Sequence, residues 1–350
     1  MRCTIRIITL SSVDPRRNLV LEQTLLQRAN EHDITVLIWQ NSDAVIIGKG
    51  QNPWCEANLP YLQQQQIPLV RRHSGGGAVF TDHGNINFSL IMPQQHYHRH
   101  IATGMIRDFL TQWGINATIN DRNDMVIRSA NEDYKFSGSA YRATQGKYLH
   151  HGTLLIDSNL DRLRSALQPP AADIEAKGIA SRRSHVINLA SVSTSISVEQ
   201  LLKALPLCFK DYFAPLGDVS LARADAGAII ADDHPLIIEQ QQWAWVYGKT
   251  PRFIQRFTGQ VKGHTYLAHI AVNQGRICSV QVTGNAHSCQ LSEFFSHVLH
   301  GCRYQCAHVE RQLSGCDQSN PSKGECFPPN ERINLLANEV GKWLVAQIPA

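Results

Sequence analysis

The run Arg71-Arg72-His73-Ser74-Gly75-Gly76-Gly77-Ala78-Val79-Phe80 constrains this chain more than any other stretch. Three consecutive glycines lack the Cβ barrier, so peptide N–H groups can turn inward and line a concavity. Such a nest binds anions, and an adjacent arginine adds a fixed planar cation. The natural ligand is a phosphate or a carboxylate. A flexible hairpin would account for the glycines alone. It does not account for a second segment further along, Lys135-Phe136-Ser137-Gly138-Ser139-Ala140-Tyr141-Arg142, followed by His150-His151-Gly152-Thr153-Leu154-Leu155.

Around these segments the pattern mixes strands and helices. Asp14-Pro15 opens a helix whose apolar face is Leu19, Leu21, Leu25 and Leu26. Runs 34–40, 44–48 and 67–72 read as strands, the last leading into the glycines. In 85–92, Ile86, Phe88 and Leu90 alternate with Asn87 and Ser89, a strand with one polar face. Ile101, Met105, Phe109 and Trp113 predict a helix that stops at Gly114. Strands are expected over 124–128 and 148–157. Ser197-Val198-Glu199-Gln200 is a capping box for a helix to about Phe213. Past the link Tyr247-Gly248-Lys249-Thr250-Pro251 the texture changes. Runs 257–272 and 275–283 read as one hairpin turning at Asn273-Gln274-Gly275, with helices near 291–299 and 330–347. The expectation is an α+β protein: a large domain, 1–246, with mixed or antiparallel sheets and flanking helices, and a small α+β domain, 254–350. A chain of 350 residues is long enough for two cores.

Composition narrows the classes of function. A formal charge of +4 with no Lys/Arg run longer than two residues does not indicate nucleic-acid binding. No apolar stretch approaches the ~20 residues that span a bilayer, so no membrane role is expected. Arg6 interrupts the first apolar run and no small-residue cleavage site follows, which points to the cytoplasm. Nine cysteines, an odd number without a signal, read as reduced thiols. None falls between Cys55 and Cys208, so the motif region has no local thiolate for covalent chemistry.

No P-loop and no strand-linked Rossmann fingerprint is present, so an anion must be held by another route. Lys135, beside Ser137-Gly138-Ser139, could neutralise charge growing on a phosphoryl transition state. Asn123-Asp124 offers oxygen ligands for magnesium; its plain alternative is a turn before a strand. His150 and His151 should point to opposite faces of a strand, which argues for one inward hydrogen-bonding histidine and against a metal pair. Cys302, Cys306, His308, Cys316 and Cys326 lack the paired C-x-x-C spacing of a zinc site. Ser74 does not sit in a nucleophile elbow.

Taken together and in order, the 71–80 run, Gly84-Asn85, Arg122-Asn123-Asp124, the 135–142 run and the 150–155 run resemble bacterial lipoate–protein ligase A. Gly48 with Gln51-Asn52-Pro53-Trp54 fits, as do Ala176-Lys177-Gly178-Ile179, Arg183-Ser184 and Asn188. The resemblance covers the whole chain. It implies an enzyme that activates lipoate with ATP and magnesium to lipoyl-AMP and pyrophosphate. The lipoyl group then passes to one lysine of a carrier domain, in 2-oxoacid dehydrogenase E2 subunits and the glycine cleavage H protein. By the resemblance, Arg72, Gly77, Ala78, Val79, Phe80, Lys135 and Arg183 contact ATP or the adenylate. Lys135, as the catalytic residue, meets both the lipoate carboxyl and the α-phosphate. Ile47, Ser74, Gly75 and His151 line the acyl pocket, where Val45-Ile46-Ile47 suits a dithiolane and a short acyl chain. Asp124 is the magnesium candidate. Arg183 and Asn188 belong to a loop that closes over the adenylate and keeps it from water. A monomer is expected. His73 departs from the pattern, which often has a smaller residue there. The alternative within the same superfamily is an octanoyltransferase that takes its acyl group from acyl carrier protein.

Overall fold

A computed structural model describes residues 2–129, 132–315 and 331–348. It is α+β, and the chain divides into two compact units: Met1–Lys49 with Ile67–Leu167 and Ser181–Gln242, and Gly50–Gln66 with Gln168–Ala180 and Trp243–Ala350. No helix among the described residues is long and apolar enough to cross a membrane.

The larger unit is organised by a six-stranded sheet in the order Ser139–Thr144, Lys147–Leu155, Asn85–Pro93, Asp33–Trp39, Cys3–Leu10, Gly217–Ala224. The first four strands run antiparallel to one another; Cys3–Leu10 is parallel to both its neighbours. Its central strands are buried on both faces because both faces are covered. Ile5, Ile7, Val36, Phe88 and Leu90 pack with the helices Ile101–Gln112 and Val198–Phe213. Leu37 and Trp39 pack with Leu19 and Val20 of the helix Pro15–Arg28. Each such fully buried side chain stabilises the fold by roughly 1.5–3 kcal/mol.

The expected elements form where the caps dictate. Asp14 Oδ1 accepts from the amide of Arg16 at 2.8 Å, and Ser197 Oγ accepts from the amide of Gln200 at 3.2 Å. The helix Ile101–Gln112 runs out at Gly114, whose φ is +77°. The polar face expected on Asn85–Pro93 is present and buried: Asn87 and Ser89 are held by hydrogen bonds under the helix face that carries Glu22. One reading needs correction. The run 257–272 is two strands, Phe253–Val261 and His264–Asn273, because Lys262 and Gly263 take positive φ and turn the chain.

The smaller unit carries an antiparallel sheet in the order Asp173–Ala176, Phe253–Val261, His264–Asn273, Arg276–Thr283. The helix Ser288–Leu299 packs on it, with Ser292 and Ser296 accepting from the amides of Val282 and Val280 on the strand Arg276–Thr283. Trp54, from the early segment, is surrounded by Trp243, Tyr247, Phe253 and Tyr304, with ring centroids 5.2 to 6.4 Å away.

Candidate active site

The glycine run joins two strands of a small sheet, Leu69–Arg71, Ala44–Ile47 and Val79–Thr81. Backbone lies directly on backbone here. A Cβ on Gly48 would sit 2.3 Å from the carbonyl oxygen of Gly76, and Gly76 itself has φ +85°. No other residue satisfies both demands without strain.

Arg72 shapes the loop from beneath. It is buried, and its guanidinium donates to the carbonyls of Ile46 (3.2 Å), Gly75 (2.6 Å) and Gly77 (2.7 Å) and to Ser74 Oγ (3.0 Å). Burial lowers its pKa to about 10, with the Glu22 carboxylate pulling the other way, so it stays charged at neutral pH. In a trans peptide the C=O and the following N–H point in opposite directions. Drawing the Gly75 and Gly77 carbonyls onto Arg72 therefore turns the amides of Gly76 and Ala78 away from it. The nest has the polarity expected of an anion site, and Arg72 acts on it by holding carbonyls. Arg71, fully buried, braces the carbonyls of Gly48 and Lys49 in the same way, both at 3.0 Å.

Ile47 is buried beneath, its carbonyl accepting from the amide of Arg72 at 3.0 Å. Ser74 and His151 come together: Ser74 Oγ lies 2.7 Å from His151 Nε2. His151 Nδ1 lies 2.8 Å from Glu22 Oε2, which also accepts from Ser89 Oγ at 2.6 Å, and Ser89 Oγ accepts from Trp39 Nε1 at 2.9 Å. When Glu22 is the carboxylate it only accepts, and the neutral imidazole that fits between them carries its proton on Nδ1 and accepts from Ser74 at Nε2. Sequence reasoning missed Glu22 and Ser89. The available signal was a glutamate inside the apolar stripe of the first helix, four residues after the buried Asn18.

Lys135 lies on the strand Glu132–Ser137 and folds over Gly138, where a Cβ would meet its Nζ at 2.8 Å. Its ammonium pairs with Asp124 Oδ1 at 2.8 Å; Arg122 Nη2 is 3.1 Å from Oδ2. The loop and this strand region meet where Gly76 faces Ala140: a Cβ on Gly76 would be 3.1 Å from that of Ala140. Asn123, read with Asp124 as a magnesium contact, instead has its amide fully buried among protein partners.

The segment 181–188 bridges both features. Ser181 Oγ accepts from the amide of Ala78 at 2.8 Å. Further on, the amide of Lys135 donates to His185 O (2.7 Å) and the amide of Ile187 donates to Lys135 O (3.0 Å). Arg183 sits exposed between these anchors. Asn188 is turned away, its amide locked to both backbone groups of Ser158. Phe80 is buried and Val79 half-buried in the small sheet. Arg142, quoted in the motif but given no task, is half-buried, donates to Gln23 Oε1 at 2.6 Å, and with Lys49 adds positive potential at His73. That potential adds to burial, the larger cause, in lowering the His73 pKa to about 4.

His150 and His151 do point to opposite faces, but both are buried, because both sheet faces are covered. His150 packs against Phe88 and Tyr141, and burial lowers its pKa to about 3. Among the described residues no group of three or more His, Cys, Asp or Glu could hold a metal; Cys316 and Cys326 lie outside them.

Residues 14–210 match the model of the lipoyl protein ligase A/B catalytic domain, more than half of the chain. The chain belongs to this family. As a lipoyl ligase A/B enzyme it has the mixed α+β fold of the lipoate ligases. It is similar to P. falciparum LipL1, solved in complex with lipoate, at 22% identity over 98% of this chain and 100% of that one, TM-score 0.59. It is similar to the bi-partite lipoate protein ligase of Thermoplasma acidophilum, from an archaeal lipoylation system with its E2 lipoyl domain, at 21% identity over 68% and 92%, TM-score 0.54. A lipoate-protein ligase A bound with ATP is similar at 22% identity over 68% and 94%, TM-score 0.51.

Proposed function

We propose that this chain is an ATP-dependent lipoate–protein ligase. One observation carries the reading. The Lys135 ammonium, the glycine loop polarised by Arg72 and the 181–188 segment converge in one unit of a family member. The lipoate carboxylate attacks the α-phosphorus of ATP, forming the acyl phosphate bond as pyrophosphate leaves. The amine of a carrier lysine then attacks the acyl carbon, AMP leaves, and an amide remains. Lys135 neutralises charge on the carboxylate and α-phosphate as it grows. Amides of the Gly75–Ala78 loop hold phosphate oxygens, with Arg183 contributing from its exposed position. Ile47, Ser74, Gly75 and His151 border the acyl chain.

Magnesium suits the donor set, because this cation keeps several waters and takes one or two carboxylates with substrate phosphates. Asp124 would hold it, and the ion would supply charge neutralisation on the polyphosphate. The carrier partners are E2 lipoyl domains and the glycine cleavage H protein, and residues 254–350 serve as an accessory domain. Burial, with nearby carboxylates adding, raises Cys55 and Cys208 to about 11, which disfavours a thiolate at these two positions for the acyl-enzyme route of an octanoyltransferase.

The test is pyrophosphate release by the purified chain with ATP and magnesium, with and without lipoate, followed by the mass of an added lipoyl domain. Lipoate-dependent release and a lipoyl gain on one lysine are expected. Silence here, with octanoyl transfer from acyl carrier protein, would overturn the reading in favour of the transferase.

A further inference from the structure

Asn123 occupies a position that few residues tolerate. It is fully buried with φ +64°, at the end of a turn in which its amide donates to Asn120 O at 2.8 Å. The next amide, that of Asp124, donates to Asn120 Oδ1 at 3.0 Å. Asparagine is among the residues that visit this left-handed region, but burial there demands that both ends of its side chain be satisfied.

They are satisfied from separate elements. Asn123 Nδ2 donates to the carbonyl of Arg99 at 3.1 Å and to the hydroxyl of Tyr141. The Arg99 carbonyl can only accept, which fixes the amide's orientation and leaves Oδ1 as the acceptor. Oδ1 lies 2.6 Å from His100 Nδ1 and 3.1 Å from Thr103 Oγ1. The side chain thus ties the start of the helix Ile101–Gln112 to the strand Ser139–Thr144 and holds the turn between them. What the turn delivers is the next residue. Asp124 is buried, with its carboxylate 2.8 Å from the Lys135 ammonium.

We infer that Asn123 is a positioning residue for adenylation, acting through Asp124 on Lys135. The inference rests on the ligase reading above. Asn123 needs no contact with substrate; it sets where the carboxylate of Asp124, paired with Lys135, stands. Charge neutralisation at a growing phosphoryl transition state depends on that placement at the level of an ångström.

Asn123→Gly tests it, because glycine keeps the left-handed backbone and deletes only the clamp. In the full chain the variant should keep its melting temperature within a few degrees. Its kcat for lipoate-dependent pyrophosphate release should fall on the order of 10- to 100-fold with the lipoate KM unchanged. Asn123→Gly combined with Asp124→Asn should be no slower than Asp124→Asn alone, since both act through one carboxylate. Tyr141→Phe, which removes one clamp partner, should lower kcat more mildly and serves if Asn123→Gly does not fold. Acylation of Lys135 by an amine-reactive ester, mapped by mass, should speed up both in Asn123→Gly and in Asp124→Asn. A wild-type kcat in the folded glycine variant, or losses that multiply in the double variant, would overturn the inference. A silent wild-type enzyme would overturn the ligase reading instead, and the labelling rates would still decide whether Asn123 places the pair.

Discussion

The Glu22–His151–Ser74 chain and the Lys135–Asp124 pair are both hydrogen-bonded ionisable systems in the same unit, yet they are built differently. Glu22, His151 and Ser74 are 3%, 7% and 2% exposed, and each polar contact is answered by another buried group. None can turn without stranding its neighbour away from water, so this system is a fixed frame. Lys135 keeps 27% of its side chain exposed, and Arg122, on the other oxygen of Asp124, keeps 40%. Because both cations sit on the one buried carboxylate, either can turn toward a phosphate while the other stays on Asp124. The frame fixes shape, and the pair is free to exchange partners.

The sharpest way to break this comparison is Lys135→Ala. It should lower adenylate formation by about 10²- to 10³-fold while leaving the fold intact. Normal pyrophosphate release by a folded variant would end the role assigned to this residue. Gly76→Val acts on the loop itself. A branched side chain at φ +85° carries about 1–2 kcal/mol of backbone strain and meets the Arg72 guanidinium at 2.9 Å. ATP affinity measured by calorimetry should drop by about 10-fold or more, each factor of ten being about 1.4 kcal/mol. An unchanged affinity would count against the nest.

The buried side of the sheet can be probed by pH. His150 is neutral in the folded protein, its pKa lowered to about 3 by burial, with a smaller contribution from His151, against 6.5 when unfolded. Its contribution to stability is therefore complete above about pH 6.5 and is lost as pH falls toward 3, with His73 behaving alike down to about 4. Urea unfolding between pH 7 and 5 should show a slope of up to about 1.4 kcal/mol per pH unit for each histidine, and His150→Gln should remove one share. Equal slopes in both proteins would disprove this account. Ser181→Ala has the smallest expected effect. Losing one hydrogen bond of about 0.5–1.5 kcal/mol should speed hydrogen exchange at the Ala78 amide and tighten ATP binding several-fold. If exchange at Ala78 is unaltered, the Ser181 contact does not restrain the loop.

Much of the site was legible because its chemistry is local. A glycine run, a lysine beside Gly138 and an Asp-Pro cap act within a few residues of themselves. Glu22 was not legible, because its partner His151 is 129 residues away and nothing near either names the other. The alternation in Asn85–Pro93 was read correctly as a strand, but its burial depends on a helix packed over the polar face, which periodicity does not report. That Arg72 also holds the Gly75 and Gly77 carbonyls was not legible, since the sequence has no sign of which way a buried carbonyl will turn.

The hydroxyl that Ser181 places on the Ala78 amide also bears on discrimination. A tethered hydroxyl competes at an effective concentration that free phosphate or sulfate does not reach in solution. A small inorganic anion therefore gains little by replacing it. A ligand that reaches this amide while also engaging Lys135 and a binding pocket for its organic part enters the competition with several attachments at once. On the proposed ligase reading, the resting loop then favours large, multiply anchored anions over small ones.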